Sequence, residues 1–179
     1  MALRVVILDR DGVINRDRDD YVKSADEWIP EAGAIEAIAR LKAAGIWVGI
    51  ATNQSGLARG LFSTADLDAM HQKLRHLVRE QGHEVDAIAH CFHLPDAKCP
   101  CRKPEPGLLA QLQTLYGRPF VSHETCMVGD TQKDLLAAAA FGLPAILVRT
   151  GKGAKTLESH AIKNPVFDSL KHWVDSLAL

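Results

Sequence analysis

The chain has 179 residues, 47% of them hydrophobic and 24% charged, which is enough for one domain with a sizeable core and short of what two usually need. Its net charge of −1 offers no general attraction to nucleic acid or an anionic membrane, so any anion must be held by local groups. No apolar run reaches membrane-spanning length, and Met1-Ala2-Leu3-Arg4 leads into the first apolar run without a signal-peptide pattern, so a soluble cytoplasmic protein is expected.

Apolar runs of strand length alternate with helical periodicity from end to end, the pattern of a parallel sheet covered by helices. The first predicted strand is Leu3 to Leu8, aliphatic except for Arg4 and closed by the turn residue Gly12. Ile35, Ile38 and Leu41 mark one face of a helix that Gly45 stops, and Ile46 to Ala51 follows as a strand. Ser63 with Asp66 resembles a capping box, opening a helix whose inner face carries Leu67, Met70, Leu74, Leu77 and Val78. Ala87 to Phe92 is the third strand, and Pro106-Gly107 opens a helix bearing Leu108, Leu112 and Leu115. Thr125 to Val128 and Ala145 to Val148 are two further strands, with the alanine-rich helix Leu135 to Ala140 between them. Leu170, Trp173, Val174 and Leu177 close the chain as an amphipathic helix. The expectation is one Rossmann-like, doubly wound α/β domain over residues 1–179, with no repeat or linker. No apolar segment is left over to demand a second subunit, so a monomer is expected.

Polar clusters recur just past the ends of these strands: Asp9 and Asp11, then Thr52-Asn53-Gln54-Ser55, then Gly129-Asp130. That rim is where open α/β sheets place their ligands. Each cluster has a plain alternative. Asp-x-Asp-Gly and Thr-Asn are common turn compositions, Lys103 could be a solvated surface lysine, and Asp130 could cap the helix after it. Their joint occurrence on one rim favours a site. A carboxylate such as Asp9 is ionised at neutral pH and needs no base to act as nucleophile, but a phosphate dianion repels it. A divalent cation held by Asp9, the Asp11 carbonyl and Asp130 would remove that repulsion. Asp11 would then protonate the leaving oxygen and later activate water. Thr52, the amides after it and the positive charge of Lys103 would hold the phosphoryl oxygens. Asp134, one helical turn past Asp130, would orient Lys103 or a metal-bound water.

Three of the four cysteines fall within eleven residues. Cys91, His93, Cys99 and Cys101 make a C-x-H-x5-C-x-C arrangement over residues 91–101, suited to a closed tetrahedral zinc site. A redox pair of Cys99 and Cys101 is the weaker alternative. The loop is too polar to order itself by burial, so the zinc would be structural, and it would fix where Arg102 and Lys103 point. Cys126 falls in a predicted strand and reads as a buried packer.

The order Asp9-x-Asp11, Thr52, Lys103 and Gly129-Asp130-x-x-x-Asp134 resembles the four motifs of the haloacid dehalogenase-like phosphotransferase superfamily and spans most of the chain. The resemblance implies magnesium and phosphoryl transfer through an aspartyl-phosphate, with Asp11 corresponding to the phosphatase and mutase form. No insert is large enough for a cap domain, so the chain resembles a capless member.

Within the superfamily the zinc loop resembles the branch of histidinol-phosphate and heptose-bisphosphate phosphatases. The five-residue spacer between His93 and Cys99 is similar to the former. Residues 52–60, 101–107 and 147–152, with Asn15-Arg16 and Tyr21-Val22, are similar to the latter, and these longer matches outweigh the spacer. The implied reaction removes the 7-phosphate of a heptose bisphosphate, in heptose-nucleotide or lipopolysaccharide assembly. Asn53, Gln54 and Ser55 would then meet the substrate phosphate, and Arg102 the sugar or its second phosphate. Asp17, Arg18, Asp19 and Asp20 would meet sugar hydroxyls, or else form a solvated charged loop. A zinc-stabilised binding protein with an inactive site is the alternative from another class, which the intact set of catalytic residues argues against.

Overall fold

The computed structural model describes residues 3–179; Met1 and Ala2, the start of the expected leader-free segment, lie outside it. Six parallel strands form one sheet in the order β3-β2-β1-β4-β5-β6. They are β1 (Val5–Leu8), β2 (Trp47–Asn53), β3 (Ala87–Cys91), β4 (Thr125–Gly129), β5 (Ala145–Val148) and β6 (Val166–Phe167). The helices are α1 (Ala34–Ala43), α2 (Thr64–Glu80), α3 (Gly107–Tyr116), α4 (Gln132–Ala140), α5 (Gly153–Ser159) and α6 (Leu170–Asp175). No added domain interrupts this order among the described residues.

Both faces of the sheet are buried, which explains why the central strands read as unbroken apolar runs. Along β1, Val6 and Leu8 point into a core formed with α1, α2 and α6, while Val5 and Ile7 point into a second core formed with α3 and α4. The strand period of two thus divides one aliphatic run between two layers. The capping box at α2 forms as expected: Asp66 N donates to Ser63 Oγ at 3.1 Å, and Ser63 N donates to Asp66 Oδ2 at 2.8 Å.

Three elements are absent from the sequence reading: α5, β6 and a single 3-10 turn at Pro95–Ala97. The two residues of β6 follow Pro165 and are only half-buried, too short and too exposed to produce a period. The central register aligns Leu8 with Ile50 of β2 and with Val128 of β4. Asp9, Thr52 and Asp130 therefore emerge together at the C-terminal rim, where the strand order reverses around β1.

Candidate active site

Asp9 leaves β1 buried, and its Oδ1 accepts from Arg10 N at 2.7 Å and lies 2.8 Å from Lys103 Nζ. Lys103 is 2% exposed, and its three protons have three acceptors: Asp9 Oδ1, Asp134 Oδ1 at 2.6 Å and the Ala51 carbonyl at 2.8 Å. Burial works against the ammonium, but Asp134 and Asp9 outweigh it and raise its pKa above the ordinary lysine value. The solvated-lysine alternative is therefore excluded. Lys103 is an immobile positive charge beside Asp9.

Asp134 also settles how α4 begins. Its Oδ2 accepts from Thr131 N at 3.0 Å and from the Thr131 hydroxyl at 2.8 Å, so Thr131 and Asp134 cap the helix and Asp130 is spared that task. Asp130 Oδ2 accepts from Lys152 N at 2.7 Å, while its buried Oδ1 has no partner. An orphaned carboxylate oxygen in so buried a place calls for a cation. Carboxylate oxygens of Asp9, Asp130 and Asp134 lie within 4.8 Å of one another, and with Asp134 committed to Lys103 and Thr131 the pair left for a metal is Asp9 and Asp130. Gly12, at φ +89°, passes so close to Asp130 that an added Cβ would overlap its carboxylate. The left-handed turn after Asp11 thus requires glycine both for its conformation and for this approach.

One expectation needs correcting. Asp9 is not simply ionised at neutral pH: burial and the neighbouring Asp134 lift its pKa to about 7, even with Lys103 pulling it down. Asp130 is raised as well, by burial and then by Asp9 and Asp134. The carboxylate cluster needs a cation to carry its full charge.

Asp11 and Asp9, adjacent like charges in the sequence reading, are separated by Arg10, whose role that reading missed. The Arg10 side chain is wholly buried and forks Asp11, with Nη2 at 2.9 Å and Nε at 3.2 Å from Oδ1. Asn15 Nδ2 and Gln54 Nε2 each donate to Asp11 at 2.8 Å. Burial alone would raise the Asp11 pKa; Arg10, then Asn15 and Gln54, outweigh it and hold the group below its ordinary value. Behind Arg10, His71 Nε2 lies 3.3 Å from Nη1, and burial together with the guanidinium pushes the imidazole down to about 3. His71 is therefore neutral and accepts from Arg10.

A cavity of about 290 Å³ opens over these groups, lined by Asp9, Asp11, Asp130, Asp134 and Lys103 at its base. Asn53, Gln54, Ser55, Arg102, Asp17, Arg18 and Asp19, the expected substrate-binding residues, also line it. Thr52 is 1% exposed beneath it, with its Oγ1 accepting from Gln54 Nε2 at 2.9 Å. Asp20 is not among the lining residues; it is exposed and paired with Arg18 at 3.0 Å and Lys23 at 3.0 Å, which answers the solvated-loop alternative for that residue. Asp17 pairs with Lys152 at 3.1 Å across the mouth. Tyr21, Val22, Thr131, Lys133 and Lys152 line the cavity without having been singled out for contact.

The cysteine loop closes as its spacing suggested. Sγ atoms of Cys91, Cys99 and Cys101 are 3.2–3.6 Å apart, and His93 Nδ1 is 3.4 Å from Cys91 and 3.3 Å from Cys101. Edges of roughly 3.8 Å are expected for thiolates about 2.3 Å from a tetrahedral zinc, so the donor set is nearly closed around a metal-sized gap. Burial, then the Cys101 thiol, pushes Cys91 up to about 12, and a zinc ion is what would make the deprotonated set stable. Cys126 is a buried packer, as expected. The loop also contacts the site directly: the Cys91 carbonyl accepts from Gln54 N at 2.6 Å, and Arg102 Nη1 donates to the His93 carbonyl at 3.3 Å.

A parallel sheet that sets this carboxylate group and a buried lysine on its rim defines a haloacid dehalogenase-like hydrolase, and the HAD-hydrolase-like family model matches residues 100–173. The D-glycero-β-D-manno-heptose-1,7-bisphosphate 7-phosphatase of Pseudomonas aeruginosa is 54% identical over 157 residues, covering 88% of this chain and 87% of that protein. The enzyme of the same name from Vibrio cholerae is 37% identical over 182 residues, covering 96% and 94%. The crystal structure of the D,D-heptose 1,7-bisphosphate phosphatase from Bordetella bronchiseptica, complexed with magnesium and phosphate, superposes with a TM-score of 0.91 at 45% identity over 97% of both chains. The chain belongs to the D-glycero-β-D-manno-heptose-1,7-bisphosphate 7-phosphatase family.

Proposed function

We propose that this chain is a single-domain, magnesium-dependent phosphatase that removes the 7-phosphate of D-glycero-D-manno-heptose 1,7-bisphosphate, in heptose-nucleotide and lipopolysaccharide assembly, with Asp9 as nucleophile. The observation that carries the reading is the rim geometry: Asp9 lies beside Asp130, whose Oδ1 is unpartnered, and its own Oδ1 is 2.8 Å from the immobilised Lys103.

Asp9, Asp130 and the Asp11 carbonyl would hold Mg²⁺, which when bound offsets the charge of the phosphate dianion. An Asp9 oxygen attacks phosphorus as the bond to the sugar oxygen breaks, and the departing oxygen takes a proton from Asp11, which Arg10 keeps ionised in the free site and which must take up that proton as the substrate binds. Asp11, ionised by that transfer, then removes a proton from water attacking the aspartyl-phosphate. The Asp9–phosphorus bond breaks and inorganic phosphate leaves. Arg10 favours the ionised form of Asp11 needed in this second step. Lys103 neutralises charge on the transferring group, and the turn after Thr52 offers backbone amides to its oxygens.

Cys91, His93, Cys99 and Cys101 hold a structural zinc in this reading, and the protein acts as a cytoplasmic monomer on a small phosphorylated sugar. No helix of the described residues is long and apolar enough to cross a membrane, and the large exposed apolar side chains include positions far apart in the chain, such as Ile29, Leu115 and Leu179. Phosphorus NMR of the purified protein with the heptose bisphosphate and Mg²⁺ tests the reaction. The expected product is the 1-phosphate; loss of the anomeric phosphate, or no hydrolysis, contradicts it.

A further inference from the structure

Among the described residues, the buried guanidinium of Arg10 has two partners. Nε and Nη2 fork Asp11, with Nη2 also donating to Oδ2 at 3.1 Å, and Nη1 reaches His71 Nε2 at 3.3 Å. His71 thus holds the end of the guanidinium that Asp11 leaves free. It stands on α2 between Leu67 and Leu74, one turn away on either side and both buried in the core. Its ring lies beside that of His90 on β3, with 6.1 Å between centroids. The imidazole is therefore carried by a helix that the core and the capping box fix in place. His71 does not line the cavity, so it touches no reacting atom.

Arginine has several rotatable bonds, and its planar fork sets the plane of a carboxylate only when its own plane is fixed. Asn15 and Gln54 each give Asp11 one bond, to different oxygens, whereas Arg10 spans both oxygens. The kind of acceptor behind Arg10 also matters. A carboxylate there would compete with Asp11 for the cation. A neutral imidazole holds Nη1 through a lone pair, with its proton on Nδ1, and leaves the charge of the guanidinium to Asp11.

We infer that His71 is a positioning residue for Asp11: by holding Arg10, it fixes the carboxylate that takes a proton from water when the aspartyl-phosphate is hydrolysed. In that step the water oxygen bonds phosphorus, its proton passes to Asp11, and the Asp9–phosphorus bond breaks. Asp11 is ionised as this step begins, so its contact with Arg10 is a full ion pair there and weaker while Asp11 carries a proton for the leaving oxygen. The effect of His71 therefore falls on the second half-reaction. The inference rests on the phosphatase reading above and adds a residue to it.

The test uses an activated aryl phosphate, whose leaving group needs no proton, with Mg²⁺ and the native protein, His71→Leu and His71→Gln. Rapid acid quench and mass spectrometry give the rates at which phosphorylated Asp9 forms and decays. His71→Leu is expected to slow decay about tenfold while formation stays within about threefold of native, as one positioning hydrogen bond to a general base is lost. His71→Gln keeps a neutral acceptor and is expected to restore decay to within about threefold of native. Equal slowing of both steps makes His71 merely structural and overturns the inference. Unchanged decay in His71→Leu, or decay in His71→Gln as slow as in His71→Leu, overturns it too. A native protein that releases phosphate from neither the aryl phosphate nor the heptose bisphosphate overturns the phosphatase reading itself.

Discussion

The side chain of Asn53 and the backbone of Lys103 hold each other by two hydrogen bonds, Nδ2 donating to the Lys103 carbonyl at 3.0 Å and Lys103 N donating to Oδ1 at 3.0 Å. The pair joins the turn after β2 to the exit of the cysteine loop. Asn53 lines the cavity, but its amide is occupied in fixing the lysine beside Asp9. Asn53→Ala is expected to lower kcat about tenfold or more, with a smaller change in KM, because two hydrogen bonds that fix Lys103 are lost. Steady-state kinetics on a variant that still melts cooperatively check this; a change confined to KM would mean that Asn53 serves binding alone.

The same loop would couple a bound zinc to the site. Gln54 N bonds the Cys91 carbonyl at 2.6 Å, while Gln54 Nε2 bonds both Asp11 and Thr52. Cys99→Ala is expected to lose zinc and raise KM, as the loop that sets Arg102 and Lys103 loosens. Metal analysis and kinetics on the same sample decide it, and unchanged kinetics in a zinc-free variant refute the coupling.

Asp9 and Asp11 are separable by their half-reactions. Asp9→Asn is expected to abolish turnover. Asp11→Asn is expected to be slow yet, with an activated aryl phosphate that needs no acid, to accumulate a phosphorylated Asp9 visible by mass spectrometry after acid quench. Appreciable turnover by Asp9→Asn contradicts the assignment of the nucleophile.

The crowded carboxylates make metal binding a stability effect that depends on pH. Asp9 titrates at about 7 in the fold against an ordinary value of 3.8, so the metal-free protein has this group's full stability below about pH 4 and loses it as pH rises through 7. A divalent ion binds the ionised form and opposes that loss. Saturating Mg²⁺ is thus expected to raise Tm by a few degrees at pH 8 and by clearly less at pH 5.5. Thermal melts at the two pH values measure the difference, and an equal or larger gain at pH 5.5 contradicts it.

The strands were legible because β1, β2, β4 and β5 carry their burial in an unbroken local pattern, and the rim motifs because each lies in the last residues of such a strand or directly after it. The clustering of Cys91, His93, Cys99 and Cys101 was legible from their spacing. The long-range partnerships were not. Arg10 has no assigned partner in the sequence, because α2 brings His71 to its guanidinium from 61 residues away in the chain. Lys133 has no local signal in the sequence, and only the fold sets it with Arg102 on the cavity wall. A signal for Arg10 did exist: an arginine at the end of a fully buried strand, next to carboxylates, must be paired to be tolerated there.

The central claim is the identity of the ester. Phosphate release measured side by side from the β-anomer of the heptose bisphosphate, its α-anomer and histidinol phosphate, each with Mg²⁺, tests it most directly. The account predicts that kcat/KM for a heptose bisphosphate anomer exceeds that for histidinol phosphate by at least about a hundredfold, as expected when a second phosphate and sugar hydroxyls meet paired groups. Equal or faster release from histidinol phosphate would contradict it.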